Sequence, residues 1–186
     1  MESSAYFVYL KQRSFAGYLY RRFWLYPVLK RCLSGRTLDI GCGIGDMLRS
    51  RPGTVGVDIN PETVAYCRSL GLDARIMAPD TLPFADGEFD SVVFDNVLEH
   101  LEQPTPLLAE IRRVLRHGGV VVVGVPGRKG FVCDADHKVF YDEAALIEIM
   151  NSVGLTERCL LHMPLRSAWL ERWIPQYCIY GVFQRG

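Results

Sequence analysis

The chain has 186 residues, 49% hydrophobic and 23% charged, with 21 basic side chains against 21 acidic ones. At this length roughly 70% of the unfolded chain's surface can be buried, enough for a single core without disulfide or metal staples. Zero formal net charge gives no long-range pull towards a polynucleotide or an anionic membrane, so nucleic acid is excluded as the expected partner.

The first thirty-five residues are aromatic and basic, with Tyr18, Tyr20, Phe23, Trp24 and Tyr26 close together. They read as one or two helices outside the main sheet, ending near Pro27 or at Ser34-Gly35, and as a lid on the core formed by 36–186. From Thr37 onward short apolar runs alternate with helical patterns. Thr37–Ile40 and Thr54–Val57 read as buried strands, and Asn60-Pro61 opens a helix that Gly71 closes. Asp73–Met77 and Asp90–Phe94 are the third and fourth strands, the latter followed by a short helix over Val97–Leu101. Thr105-Pro106 caps a longer helix with Leu107, Leu108, Ile111, Val114 and Leu115 inward, which runs to Gly118-Gly119. A strand over Val120–Val125 follows, then a helix capped by Asp142 and ended by Gly154. Leu155–Leu161 and Cys178–Phe183 are the last strands; between them Leu165, Trp169, Leu170, Trp173 and Ile174 recur at helical spacing and read as core or dimer contact. Such alternation predicts a single α/β domain with a mostly parallel, doubly wound sheet covered on both faces.

The chemistry concentrates at Leu38-Asp39-Ile40-Gly41-Cys42-Gly43-Ile44-Gly45, between a buried strand and a helix. Glycines there let the backbone turn tightly and approach a ligand. Their Gly-x-Gly-x-Gly spacing differs from the G-x-G-x-x-G of dinucleotide folds, which counts against a nicotinamide-dependent oxidoreductase. Asp58 ends the next strand, seventeen residues after Gly41, where a carboxylate can accept both ribose hydroxyls.

With these motifs stand Leu82-Pro83-Phe84, Phe89-Asp90, Val97-Leu98-Glu99-His100-Leu101, Gly118-Gly119 and Phe140-Tyr141, in that order. The set resembles the class I S-adenosylmethionine-dependent methyltransferases, in the small-molecule branch of types 11 and 23. The resemblance implies a Rossmann-like sheet of seven strands with the last one reversed, and S-adenosylmethionine across the ends of the first two strands. It also implies that Asp39 and the Gly41–Cys42–Gly43 backbone hold the methionine part. Asp58 would grip the ribose, Ile59 would lie against adenine, and Asn96 would face the methionine amino group and the acceptor. Relatives often carry an acid where this chain has Ala78; Asp80 is the substitute two residues on.

Methyl transfer from a sulfonium needs alignment and exclusion of water, and a base only if the acceptor loses its proton early. His100 and His137 are the candidates for such a base, with Tyr141 a weaker third. The expected acceptor is a small molecule, glycan or lipid-linked group, methylated at oxygen; the competing reading is a non-catalytic cofactor-binding module. Cys32, Cys42, Cys67, Cys133, Cys159 and Cys178 form no C-x-x-C pair and have no histidine at ligand spacing, so no metal is expected and the thiols read as reduced. Lys11, Arg13, Arg21 and Arg22 interrupt any signal-peptide core, and the apolar run at Val120–Val123 is too short to span a bilayer. A cytoplasmic monomer or homodimer is expected.

Overall fold

Seven strands form one sheet in the order β3-β2-β1-β4-β5-β7-β6 in the computed structural model, which describes residues 15–186. They are β1 (Thr37–Ile40), β2 (Val55–Asp58), β3 (Ala74–Ile76), β4 (Phe89–Asp95), β5 (Leu115–Pro126), β6 (Leu155–Met163) and β7 (Cys178–Arg185). Six run parallel; β7 lies antiparallel between β5 and β6. This is the doubly wound, Rossmann-like sheet with a reversed last strand that the sequence predicts.

The alternation of side chains along the central strands explains why both faces need covering. Val92 and Phe94 of β4 and Val121, Val123 and Val125 of β5 join one core. It is closed by Leu107, Leu108, Ile111 and Val114 of one helix (Thr105–Val114) and by Leu146 and Met150 of another (Glu143–Ser152). Val93, Val120 and Val122 point the other way, into a second core.

That second core corrects the reading of the N-terminal segment. Residues 1–14 lie outside the described residues. A helix over Phe15–Tyr20 continues through a π-helical turn (Arg21–Leu25) into a further turn of α-helix (Tyr26–Lys30). Leu25, Tyr26, Leu29 and Leu33 pack with Met47, Val93, Val122, Tyr180 and Val182. Residues 25–33 are therefore part of the sheet's cover, and no core boundary falls at 35. Only Tyr18, Phe23 and Trp24 of the aromatic group are exposed.

Other boundaries also move. The Asn60 and Asp142 side chains cap their helices as expected, accepting from Glu62 N and Ala145 N. Thr105 caps nothing, because Pro104 stands at that position. The helix stops at Val114 instead of reaching Gly118-Gly119, and Leu115 already pairs with Phe89. Arg185 explains the early stop: its guanidinium donates to the carbonyls of Arg112, Arg113 and Leu115, satisfying the helix's last acceptors without another turn. Val97–Leu101 shrinks to one 3₁₀ turn (Leu98–His100), and an unexpected short helix covers Arg128–Val132. In the helix Ala168–Trp173 and just before it, Leu165, Trp169 and Trp173 stay exposed, while Leu170 packs on the first core. Cys42 and Cys67 are buried, Cys32 and Cys178 half-buried, and Cys133 and Cys159 exposed; all six are free thiols.

Candidate functional site

The turn after β1 is built by positive backbone angles that favour glycine: φ is 71° at Gly41, 51° at Gly43 and 79° at Gly45. A Cβ on Gly41 would lie 2.5 Å from Val97 Cγ2, so this glycine lets the segment after β4 pack directly on the turn. The turn's amides are committed internally. Gly41 N and Cys42 N donate to Val57 O at 2.9 and 3.0 Å, and Gly43 N donates to Asp58 Oδ2 at 2.9 Å. A ligand here would meet the bare Cα surface of the turn, its carbonyls and the acids around it rather than the amides of Gly41, Cys42 and Gly43.

Asp58 is a clasp as well as a candidate ribose ligand. Its other oxygen accepts from Asn60 N at 2.8 Å, so one buried carboxylate ties the glycine turn to the start of the next helix. Burial pushes its carboxyl above the usual range, and the Asn60 and Gly43 amides pull the other way. Asp39 is buried on the neighbouring strand; burial, then Asp95 and Asp58, hold its carboxyl well above the ordinary value. Ile59 is 61% exposed at the same edge. Ala78 and Asp80 are both exposed, on a small bridge closed by Ala78 and Thr81.

Asn96 adopts a left-handed φ of 54°, among the described residues the one non-glycine to do so. Its amide donates to Asp95 Oδ1 at 2.7 Å, which also accepts from the Tyr180 hydroxyl at 2.8 Å. Arg21, from the π-helical turn, hydrogen-bonds Tyr26 and stands near Asp95 and Tyr180. The N-terminal segment thus brings one cation to the carboxyl edge of the sheet, whereas Arg22 is exposed beside Phe23.

His100 and His137 also meet, their rings 4.7 Å apart and edge-to-face. His100 Nδ1 lies 3.3 Å from Asp136 O, and His137 Nδ1 lies 2.8 Å from Phe131 O, with Phe131 stacked on the His137 ring. A carbonyl can only accept, so each Nδ1 carries a proton, and in the neutral imidazole Nε2 is the atom with the lone pair. Burial, then His137, lowers the pKa of His100. Beside them is a residue that the sequence reading passed over as a site. Glu99 is fully buried, and neither of its carboxyl oxygens has a hydrogen-bond partner. Burial pushes its carboxyl up to about 8. Its position in a three-residue turn between two leucines was the available signal. Tyr141 is buried in the first core.

Residues 38–123 match the family model described as a methyltransferase domain. A probable S-adenosylmethionine-dependent methyltransferase of Mycolicibacterium smegmatis is 32% identical over 67% of this chain and 53% of its own length. A ubiquinone biosynthesis O-methyltransferase of Xanthomonas oryzae is 30% identical over 50% of this chain and 44% of its own. The chain spans about half the length, or less, of the curated relatives it matches. Among solved structures, an S-adenosylmethionine-dependent methyltransferase of Thermotoga maritima, described as a possible histamine N-methyltransferase, superposes with a TM-score of 0.78. It covers 97% of this chain and 96% of its own at 18% identity, a likeness of fold alone. Family model, relatives and sheet order agree, and residues 38–123 form a methyltransferase domain of the class I S-adenosylmethionine-dependent kind, type 11 branch.

Proposed function

We propose that the chain transfers the methyl group of S-adenosylmethionine to an oxygen atom of a small-molecule acceptor. The observation that carries this reading is the carboxyl edge of the sheet, where a glycine turn clasped by Asp58 meets Asp39, Asp46 and Asp95. This set fits the cofactor, whose sulfonium and ammonium outweigh its one carboxylate; a cluster of acids favours such a net cation over the neutral product. Asp58, held by the Gly43 and Asn60 amides, would accept the ribose hydroxyls, and Ile59 offers adenine an apolar surface.

When bound, S-adenosylmethionine supplies an electrophilic methyl carbon on a positively charged sulfur. The chain's own part is to align the acceptor and exclude water. Asn96, held by Asp95, would orient the methionine amino group, and the segment carrying Arg21 would border the acceptor. A neutral His100 or His137 can take the proton of an acceptor hydroxyl through Nε2. Relatives named as ubiquinone biosynthesis O-methyltransferase and ubiquinone/menaquinone C-methyltransferase support a small-molecule acceptor, and the first of them oxygen as its atom. Six free thiols suit a reducing, cytoplasmic setting, and among the described residues no helix is long and apolar enough to cross a membrane.

The test is incubation of the full chain with methyl-labelled S-adenosylmethionine and a panel of phenols, catechols and amines. S-adenosylhomocysteine should form, with the label on oxygen. Cofactor binding without turnover on any acceptor would leave the non-catalytic module as the reading, and label on nitrogen or carbon would overturn the acceptor atom.

A further inference from the structure

We propose that Glu99, His100 and His137 form a binding site for one divalent transition-metal ion. The expectation of no metal rests on ligand spacing within the sequence, and the fold joins ligand groups from two separate segments. Glu99 and His100 come from the 3₁₀ turn after β4, and His137 from the loop after β5. Lys138 N and Val139 N both donate to Glu99 O, at 2.7 and 3.1 Å, and this fixes the two segments against each other. One donor atom from each of the three side chains lies within 4.8 Å of the others. Two ligands on one zinc-sized ion, each about 2.1 Å from it, stand at most about 4.2 Å apart, so side-chain rotation suffices to close the site.

The polarity of the cluster points to a cation. His137 Nε2 faces Glu99 Oε1 at 3.8 Å, too far for a hydrogen bond. A buried carboxyl with no hydrogen-bond partner is costly, and neither oxygen of Glu99 has one. A metal ion satisfies all three side chains at once. The protons on the two Nδ1 atoms are already directed at the Asp136 and Phe131 carbonyls, the arrangement by which metal-bound imidazoles are oriented. Asp134 Oδ2 lies 4.0 Å from His137 Nε2 and could supply a fourth oxygen. Two imidazoles and one carboxylate suit zinc, iron(II) or cobalt(II) rather than magnesium or calcium, and leave coordination positions open. In the O-methylation reading, on which this last step rests, those positions would take acceptor oxygens, since Val97 at the start of the same turn packs on Gly41. The bound ion would then occupy both Nε2 lone pairs and take the place of a histidine base by acidifying the acceptor hydroxyl, whose proton leaves to solvent.

The experiment is titration of the chelator-treated, desalted full chain with cobalt(II) chloride, followed by visible absorption. One ion per chain should bind, with d–d bands and no thiolate charge-transfer band. Loss of a hydrogen-bond partner behind a metal ligand costs roughly 10–100-fold in affinity. Glu99→Gln and His137→Gln, which remove ligands themselves, should each exceed that while S-adenosylhomocysteine still binds, which shows the variants folded. No binding by the wild type, binding unchanged in both variants, or a thiolate band that traces the ion to the cysteines would each overturn the site. Because the readout needs no methyl transfer, its failure is distinct from failure of the proposed activity.

Discussion

Asp58→Asn is a near-isosteric change whose cost can be worked from two distances. The carboxylate accepts from Gly43 N at 2.9 Å and from Asn60 N at 2.8 Å, one oxygen each. An amide has one oxygen, so whichever way it turns, one buried N–H faces an NH2 group. Loss of a hydrogen bond to a charged acceptor costs about 1.5–3 kcal/mol. Burial disfavours the Asp58 charge, and the neutral amide is relieved of that cost, so the net loss should be near the low end, about 1–2 kcal/mol. A domain with a stability of about 5–15 kcal/mol survives this. The ribose contact is also charge-assisted, so affinity for S-adenosylhomocysteine should fall about 10- to 150-fold. Urea unfolding with an unchanged slope measures the first effect and calorimetry the second. A lower midpoint with intact affinity makes Asp58 a clasp and moves the ribose elsewhere; an unchanged midpoint refutes the clasp.

Two further perturbations test the electrostatics and the core. The Asp39 carboxyl is raised in the folded state, by burial first and then by Asp95 and Asp58. Below about pH 4 both states hold its proton; above that only the unfolded state releases it, so native stability falls with rising pH until the folded carboxyl ionises. Asp39→Asn should therefore flatten the decline in urea midpoint of the cofactor-free protein as pH rises from about 4 to 7, and parallel profiles would refute the assignment. Leu29→Ala, at a fully buried position of the N-terminal helix, should cost about 2–5 kcal/mol, whereas Phe23→Ala, 68% exposed, should stay within about 0.5 kcal/mol. Equal small effects in thermal unfolding would restore the picture of a lid outside the core.

What was legible in the sequence was local. Runs such as Thr37–Ile40 and Val120–Val125 announce strands because both their faces are buried, and Asn60 and Asp142 announce helix starts because a capping side chain acts within three residues. The helix end at Val114 was not legible, since it depends on Arg185, which belongs to a strand far along the chain. The inward set Leu25, Tyr26, Leu29 and Leu33 has helical spacing, but the aromatics beside it suggested a cover over the cofactor instead of one face of the sheet. The glycine turn and Asp58 could be named from their spacing, yet the bond between them could not. Glu99 and His137 lie far apart in sequence, and only the parallel β4–β5 pairing sets the loops after those strands side by side.

The interior place of β7 has a consequence for the order in which this sheet can be completed. Among the described residues β6 pairs with the sheet only through β7, and β5 pairs on that side only with β7. Until residues 178–185 arrive, the valines of β5 and all of β6 present open backbone edges, although everything needed to form the cofactor turn has already been synthesised. The nascent chain can assemble its chemistry first and must then wait, sticky-edged, for the strand that zips the two halves together. That interval, and not the finished fold, is where this chain is most exposed to mispairing with a neighbour.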